Sequence, residues 1–383
     1  MFSNPSVQEA STSLRTVIAD AAKGLVEREA LIEMVALSAV AEEHVLVIGP
    51  PGTAKSEAVR RIARASGGHY FEYLLGRFTE PSEIFGPVDL HKLKDGSVET
   101  DTLGMLPEAE IAFLDEIFQG STAILNTLLG ILNERVFRRG HTNIRCPLRV
   151  CVGAANNLPE DASLAAFADR FLVRCFVDPI PDPMLEQLLE GGWSLNRLQS
   201  EQSASLNDIE ILAAEARAAD MSVVRPHIAK AIRTLRGAGI TLTDRRAVKA
   251  QKLIAAAALL AGREKPTEAD LWPIVFTLPT REQQALGRDS LRELLAATEN
   301  RALPIAAEEA SLGPLARATR VAEAARQILS RRPTGNVPDE DRAWRLQLEG
   351  VAREIDASFT ADQMPPELVE LRVQIIDVLG PAN

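Results

Sequence analysis

The chain has 383 residues, 46% hydrophobic and 25% charged, the balance of a soluble globular protein long enough for two or three domains and a sizeable core. A formal net charge of −11 argues against broad nonspecific nucleic-acid binding, and an aromatic content of 4% argues against extended base-stacking platforms. No run approaches the roughly 18 apolar residues of a membrane span.

The first residues, Met1-Phe2-Ser3-Asn4-Pro5-Ser6, lack the basic and apolar regions of a secretory signal. Cys146, Cys151 and Cys175 have no paired metal-ligand spacing and read as reduced thiols of a cytoplasmic protein. The histidines at 44, 69, 91, 141 and 227 are scattered, so no zinc site is expected.

Residues 7–41 carry two helical patterns, the second over 27–41 with Leu31, Met34, Val35, Ser38 and Ala39 on one side. A short apolar run, His44-Val45-Leu46-Val47-Ile48, then reads as a buried parallel strand. It leads into Gly49-Pro50-Pro51-Gly52-Thr53-Ala54-Lys55-Ser56, with Glu57 opening a helical pattern. Strand, glycine-rich loop and helix in this order make a phosphate cradle. Loop amides and the helix terminus face the anion, Lys55 reaches the β and γ oxygens, and Ser56 ligates magnesium. Ala54 stands where G-x-x-x-x-G-K-[ST] usually has its second glycine; alanine suits helix onset, so the loop is expected to survive. The plain alternative is a turn before an ordinary helix.

Residues 70–75 read as a second strand. Between 76 and 106 the chain is rich in Gly, Pro and charge, and Asp95-Gly96 between alternating residues predicts a hairpin. Ile111-Ala112-Phe113-Leu114-Asp115-Glu116 is an apolar strand ending in two acids. At the carboxyl end of a parallel strand such acids face the ligand crevice: Asp115 would hold magnesium through water and Glu116 would polarise the attacking water. The alternative, that both acids only favour the start of the next helix, loses weight because a phosphate loop lies about sixty residues upstream.

An apolar helix is predicted over 123–132, then a basic hairpin over 136–145, then a strand over 148–155 delivering Asn156-Asn157. An amide beside Glu116 would orient the hydrolytic water; the plain reading is a strand-end turn. Residues 165–171 lead into a strand over 171–177. Pro179-Ile180-Pro181-Asp182-Pro183 marks a domain boundary. Helices follow at 184–191, 206–219, 224–237, 243–261 and 267–276, the last opened by Pro266-Thr267. Apolar positions 318, 321, 325, 328 and 329, then 344, 348, 351 and 355, then 368, 371, 375, 378 and 379 predict three amphipathic helices, broken at 332–338 and 364–366.

Taken together, Gly-Pro-Pro-Gly-Thr-Ala-Lys-Ser, Phe-Leu-Asp-Glu, Leu-Leu-Gly-Ile-Leu-Asn-Glu-Arg-Val-Phe-Arg-Arg-Gly, Ala-Ala-Asn-Asn-Leu-Pro-Glu and Ala-Asp-Arg-Phe resemble the MoxR-type AAA+ ATPases, closest to their RavA branch. The likeness spans roughly residues 10–280. It implies an α/β P-loop NTPase core with a parallel sheet (1–180), an all-α lid (181–280) and a C-terminal helical extension (281–383). It implies ATP and Mg2+ as cofactors, Asn156 as the sensor-1 residue and Arg170 as an arginine finger acting on a neighbour. It also implies a sensor-2 arginine contacting the γ-phosphate of its own subunit, Arg245 or, second, Arg246. The segments around 85–100 and 136–145 resemble the family's helix-2 insert and pre-sensor loop, which face a ring's pore. The implied function is ATP hydrolysis in a ring, hexameric as is common to the class, that remodels or assembles a protein client, including metal or cofactor insertion with a von Willebrand factor A partner. Two alternatives stand beside it: a DNA-acting ring using Lys92, Lys94, Arg138, Arg139 and Arg145, and a nucleotide-gated assembly protein with little turnover. RavA-like relatives carry a longer C-terminal extension with an inserted small domain, and here the sequence departs from them.

Overall fold

The computed structural model describes residues 4–94, 96–195, 206–332, 338–358 and 364–379. Its elements begin with α1 (Pro5–Ala22), α2 (Glu29–Ala41), β1 (Val45–Ile48), α3 (Lys55–Ser66), β2 (Tyr70–Leu74), α4 (Pro81–Phe85) and α5 (Leu90–Lys94). Then come β3 (Ile111–Asp115), α6 (Thr122–Glu134), β4 (Val136–Arg139), β5 (Thr142–Arg145), β6 (Val150–Ala155), α7 (Ala162–Ala168) and β7 (Val173–Phe176). The rest is helical: α8 (Leu185–Leu195), α9 (Leu206–Ala218), α10 (Arg225–Gly237), α11 (Asp244–Leu260), α12 (Pro273–Phe276), α13 (Arg281–Ser290), α14 (Arg292–Leu295) and α15 (Pro304–Leu312). It closes with α16 (Pro314–Ser330), α17 (Pro338–Ser358) and α18 (Pro366–Leu379).

Five strands form one parallel sheet in the order β2-β3-β6-β1-β7. β1 and β6 are buried throughout and β3 up to its last residue, which is why they read as apolar runs rather than alternations. β6 lies between β1 and β3, so the chain leaves three adjacent strands at one edge, through Gly49, Glu116 and Asn156. The three cysteines are free thiols buried in this part of the chain, and burial pushes Cys146 up to about 11 and Cys151 up to about 12.

The chain divides into two compact units. One holds Met1–Lys23, Arg28–Asp178 and Gln199–Ser311; the other holds Gly24–Glu27, Pro179–Leu198 and Leu312–Asn383. In the first, α2 is buried on every side from Leu31 to Ala41, not on one face as its pattern suggested. It is enclosed by the sheet and by α1, α9 and α11, and a helix without a solvent face needs no polar stripe. In the second, Val321, Ala325, Trp344, Leu348, Val351, Ile355, Leu368, Leu371 and Ile375 make a core of their own from α16, α17 and α18. These are the expected positions. The side chain at 318 and the break at 333–337 lie outside the described residues.

Two local expectations are corrected. The hairpin over 85–100 is a loop that follows the helical turn α4 and holds the helical turn α5, with an antiparallel bridge from Val88 to Thr100. The Asp89 carboxylate accepts from the amides of His91 and Lys92, which starts a helical turn where the alternation called for a strand. Asp95, the first turn residue, lies outside the described residues. The helix over 267–276 is a 3-10 turn, Glu268–Asp270, followed by α12, because Pro273 has no N–H to continue the ladder. The basic hairpin forms as β4 and β5. It is joined to the 85–100 loop: His141 N donates to Val98 O at 2.8 Å, Thr100 N to Thr142 Oγ1 at 2.7 Å, and Phe85 stacks on Phe137.

Candidate nucleotide site

The loop after β1 folds around its own lysine. Lys55 is buried and donates Nζ to the carbonyls of Gly49 at 2.7 Å and Pro50 at 2.9 Å. Burial lowers the Lys55 ammonium below its usual range, and the charges of Asp115 and Glu116 offset part of that. Thr53 Oγ1 donates to Pro50 O at 2.9 Å and tightens the turn. A Cβ on Gly49 would stand 2.2 Å from Val177 O, so glycine alone fits against the residue that follows β7. Gly52 has a positive φ of 78° and would meet nothing within 4 Å, leaving the rim of the loop open to an anion.

Ala54 takes φ 57°, ψ 27° as the N-cap of α3. Alanine thus occupies the left-handed conformation that glycine adopts readily, and it bears the strain. Glu57 pairs with Arg60 at 2.8 Å and Arg61 at 3.1 Å on the flank of α3. Ser56 sits in the first turn of the same helix.

Asp115 ends β3, and its Oδ1 accepts from the Glu116 amide at 3.0 Å. Glu116 departs into the left-handed region, φ 49°, a conformation that clusters at functional sites because something else must hold it. Asn156, next after β6, donates Nδ2 to Glu116 Oε1 at 2.8 Å. The two strand-end motifs thus meet through side chains. Among the described residues no three His, Cys, Asp or Glu gather to hold a metal. Magnesium bound with nucleotide takes one or two carboxylate or hydroxyl ligands together with phosphate oxygens and water. Ser56 and Asp115 are the groups that would hold it, and the cradle's lysine, amides and open rim fit a triphosphate.

Arg170 lies in the turn between α7 and β7, where Val173 pairs with Val45, the first residue of β1. It is at the edge of the sheet opposite its own phosphate loop, and its Nε is buried with no hydrogen-bond partner. The expectation that Arg245 reaches its own subunit's γ-phosphate is not met. Arg245 donates to Asn133 Oδ1 at the end of α6, and Lys249 and Lys252 anchor α11 to Glu43, just before β1. The loop leaves the other end of β1, about 13 Å of strand away. Arg246 is no substitute: it is buried and fully engaged with Asp169, Phe171, Leu172 and Thr277.

Three groups at the site were not singled out from sequence. Arg28 donates Nε to Thr53 O at 2.7 Å and Nη2 to Asp178 O at 2.8 Å, tying the phosphate loop to the end of β7. Arg281 grips Asp178 through two bonds of 2.8 Å and lies over the Phe176 ring. The conformation of Glu116 is the third. For Arg28 a signal exists: an arginine leading into a predominantly apolar helix has to find acceptors outside it. Of the basic residues that could touch nucleic acid, Lys92 pairs with Glu99, Arg138 with Glu134, and Arg139 donates to Gly86 O.

Residues 12–215 match the family of MoxR domains in MoxR–vWA–β-propeller ternary systems. The chain is 39% identical over 250 residues to an uncharacterized protein of Methanocaldococcus jannaschii, covering 64% of this chain and 65% of that protein. It is 27% identical over 202 residues to the chaperone MoxR1 of Mycobacterium tuberculosis, covering 51% and 52%. It spans a little under two thirds of the length of the curated relatives matched first. A crystal structure of a candidate ATPase from Cytophaga hutchinsonii superposes with a TM-score of 0.61 at 17% identity, covering 77% of this chain and 97% of that one, a likeness of fold.

Proposed function

This chain belongs to the MoxR domain family of AAA+ ATPases, and from that premise we propose that it hydrolyses ATP in a ring of like subunits, hexameric in its simplest form, to remodel or assemble a protein client. The observation that carries the reading is the 2.8 Å bond from Asn156 to Glu116 beside Lys55. In this reading residues 49–55 hold the triphosphate, Ser56 and Asp115 hold Mg2+, and Glu116 takes the proton of the attacking water. Asn156 orients Glu116. Bound nucleotide and metal supply the phosphoryl group and the charge that balances it.

Arg170 and Arg245 both lie toward the amino edge of the sheet, away from their own loop. We assign both to the γ-phosphate of the neighbouring subunit, which replaces the same-subunit role first expected for Arg245. Such a guanidinium is worth about 10³ to 10⁵ in rate, so hydrolysis depends on assembly. The joined segments 85–100 and 136–145 are proposed to face the pore and the client.

The family's description supports partners of the von Willebrand factor A and β-propeller classes, with chaperone-like work or metal and cofactor insertion as the outcome. A place near the RavA branch, the three-part division at 180 and 280, and a cytoplasmic setting belong to the same proposal. Among the described residues no helix is long and apolar enough to cross a membrane. The test compares wild type with Glu116→Gln. Wild type should turn over ATP, and the variant should lose about 10²-fold or more in rate while keeping nucleotide and an assembled particle. Equal rates, or a monomer under all nucleotide conditions, would count against the reading.

A further inference from the structure

The turn that carries Arg170 is held from two sides by buried arginines. From α11, Arg246 donates Nε to Asp169 Oδ1 at 2.6 Å, Nη2 to Phe171 O at 3.1 Å and Nη1 to Leu172 O at 2.9 Å. Its Nη1 also reaches Thr277 O at 2.6 Å. From β7, Arg174 donates Nη2 to Ala168 O at 2.6 Å. Backbone bonds close the rest: Asp169 N to Ala165 O, Arg170 N to Phe167 O and Phe171 N to Ala168 O, each 3.0 to 3.1 Å.

Every residue of 168–172 is therefore pinned, yet the side chain they present, Arg170, has a buried Nε with no partner. Burying two guanidiniums against a single carboxylate is a costly way to close a four-residue turn. Burial and the Arg246 charge hold Arg174 down to about 9, as expected where one Asp169 serves two cations. Neutral groups would close the turn as well. The Arg246 fork fixes it in orientation too, while Arg174 adds a single bond and keeps its Nε and Nη1 unpartnered, and orientation is what a group waiting for an external anion needs.

We propose that Asp169 and Arg246 are positioning residues that set Arg170 for the neighbouring subunit's nucleotide and tie its pose to α11. This rests on the assignment of Arg170 to a neighbour. Because Arg246 also holds Thr277, a shift of α11 by an ångström breaks several of these bonds at once. The position of this helix then controls hydrolysis next door rather than at its own loop.

Asp169 is partly exposed, so Asp169→Ala leaves no core cavity and is the variant of choice over Arg246→Lys, which serves as a second one. In the full-length protein, Asp169→Ala should lower kcat about 10- to 100-fold with KM for ATP changed less than about threefold, since a small misplacement of a catalytic group has that effect. Nucleotide binding should stay near wild type, whereas the melting temperature should fall, because Arg246 and Arg174 lose the one carboxylate they share. The deciding measurement mixes subunits. Asp169→Ala has an intact site and a misplaced finger, whereas Glu116→Gln has the reverse, so a 1:1 mixture, in which about a quarter of interfaces join the two intact halves, should exceed the Asp169→Ala parent by about 3- to 25-fold. Arg170→Ala mixed with Glu116→Gln is the reference. If that reference recovers and the Asp169→Ala mixture does not, or if Asp169→Ala alone keeps wild-type kcat, the positioning role is wrong. If the reference itself stays flat, the assignment of Arg170 to a neighbour falls, and this inference with it.

Discussion

Asn156 and Glu116, forty positions apart in the chain, share a hydrogen bond of 2.8 Å because their strands are neighbours in the sheet. The amide donates to the carboxylate, so its loss should act on the chemical step. Asn156→Ala is expected to lower kcat about 10- to 10³-fold with little change in ATP affinity. Single-turnover hydrolysis alongside equilibrium nucleotide binding checks this. A loss of affinity matching the loss of rate would place Asn156 in binding instead.

Ala54 offers a test of opposite sign. Its φ of 57° is one an alanine holds at a cost and a glycine at almost none. Ala54→Gly should leave the loop in place and raise stability by about 1 kcal/mol, the strain relieved less the chain entropy a glycine adds. Urea midpoints of the two proteins measure it. A lower midpoint for the glycine form would mean that something other than the loop backbone dictates the residue.

How far the sequence can be read follows from which interactions are local. The strand runs ending at Ile48, Asp115 and Ala155 are apolar because both faces are covered, and that reads directly from the residues. The core of α16, α17 and α18 reads equally well, since it uses one face of each helix. What did not read is set by distant partners. Arg245 and Arg246 are adjacent in sequence, yet one bonds the Asn133 side chain on α6 and the other is buried against Asp169. No helix-start pattern distinguishes them. The turn at Asp89 failed for a related reason: a carboxylate capping two amides overrode an alternation that fits a strand. The short helices α13, α14 and α15 have no sustained apolar period to announce them.

Arg28 joins the phosphate loop to the end of β7 through Thr53 O and Asp178 O. Removing its guanidinium strands buried carbonyls, at about 1–3 kcal/mol each. Arg28→Leu should therefore weaken ATP binding about tenfold or more and lower the melting temperature. Arg28→Lys, a single point donor in place of a fork, should fall between. The ranking wild type, Lys, Leu should hold in both binding and melting. Unchanged ATP affinity in the leucine variant would show that the loop keeps its shape without the clamp.

Glu33 gives stability a slope in pH. It lies buried on α2, and its carboxylate accepts from the amide of Ala306 at 2.7 Å and that of Ile305 at 3.4 Å, in the first turn of α15. Burial raises it to about 8, helped by the charges of Glu29 and Glu309 and opposed by the two amides. The native chain thus holds this proton more tightly than the unfolded chain, whose carboxyl titrates near the ordinary value of about 4.3. The stability it contributes is complete below about pH 4.3, declines as pH rises, and is spent above about 8. Glu33→Gln keeps an acceptor for Ala306 and has no proton to lose. The variant should lie within about 1 kcal/mol of wild type near pH 5 and exceed it by on the order of 5 kcal/mol above pH 8. Urea unfolding of both proteins from pH 5 to 9 reads the difference directly, because every other titrating group is common to the pair and cancels. Parallel curves across that range would mean that Glu33 titrates alike in the folded and unfolded chains, with the two amides of α15 fully offsetting its burial.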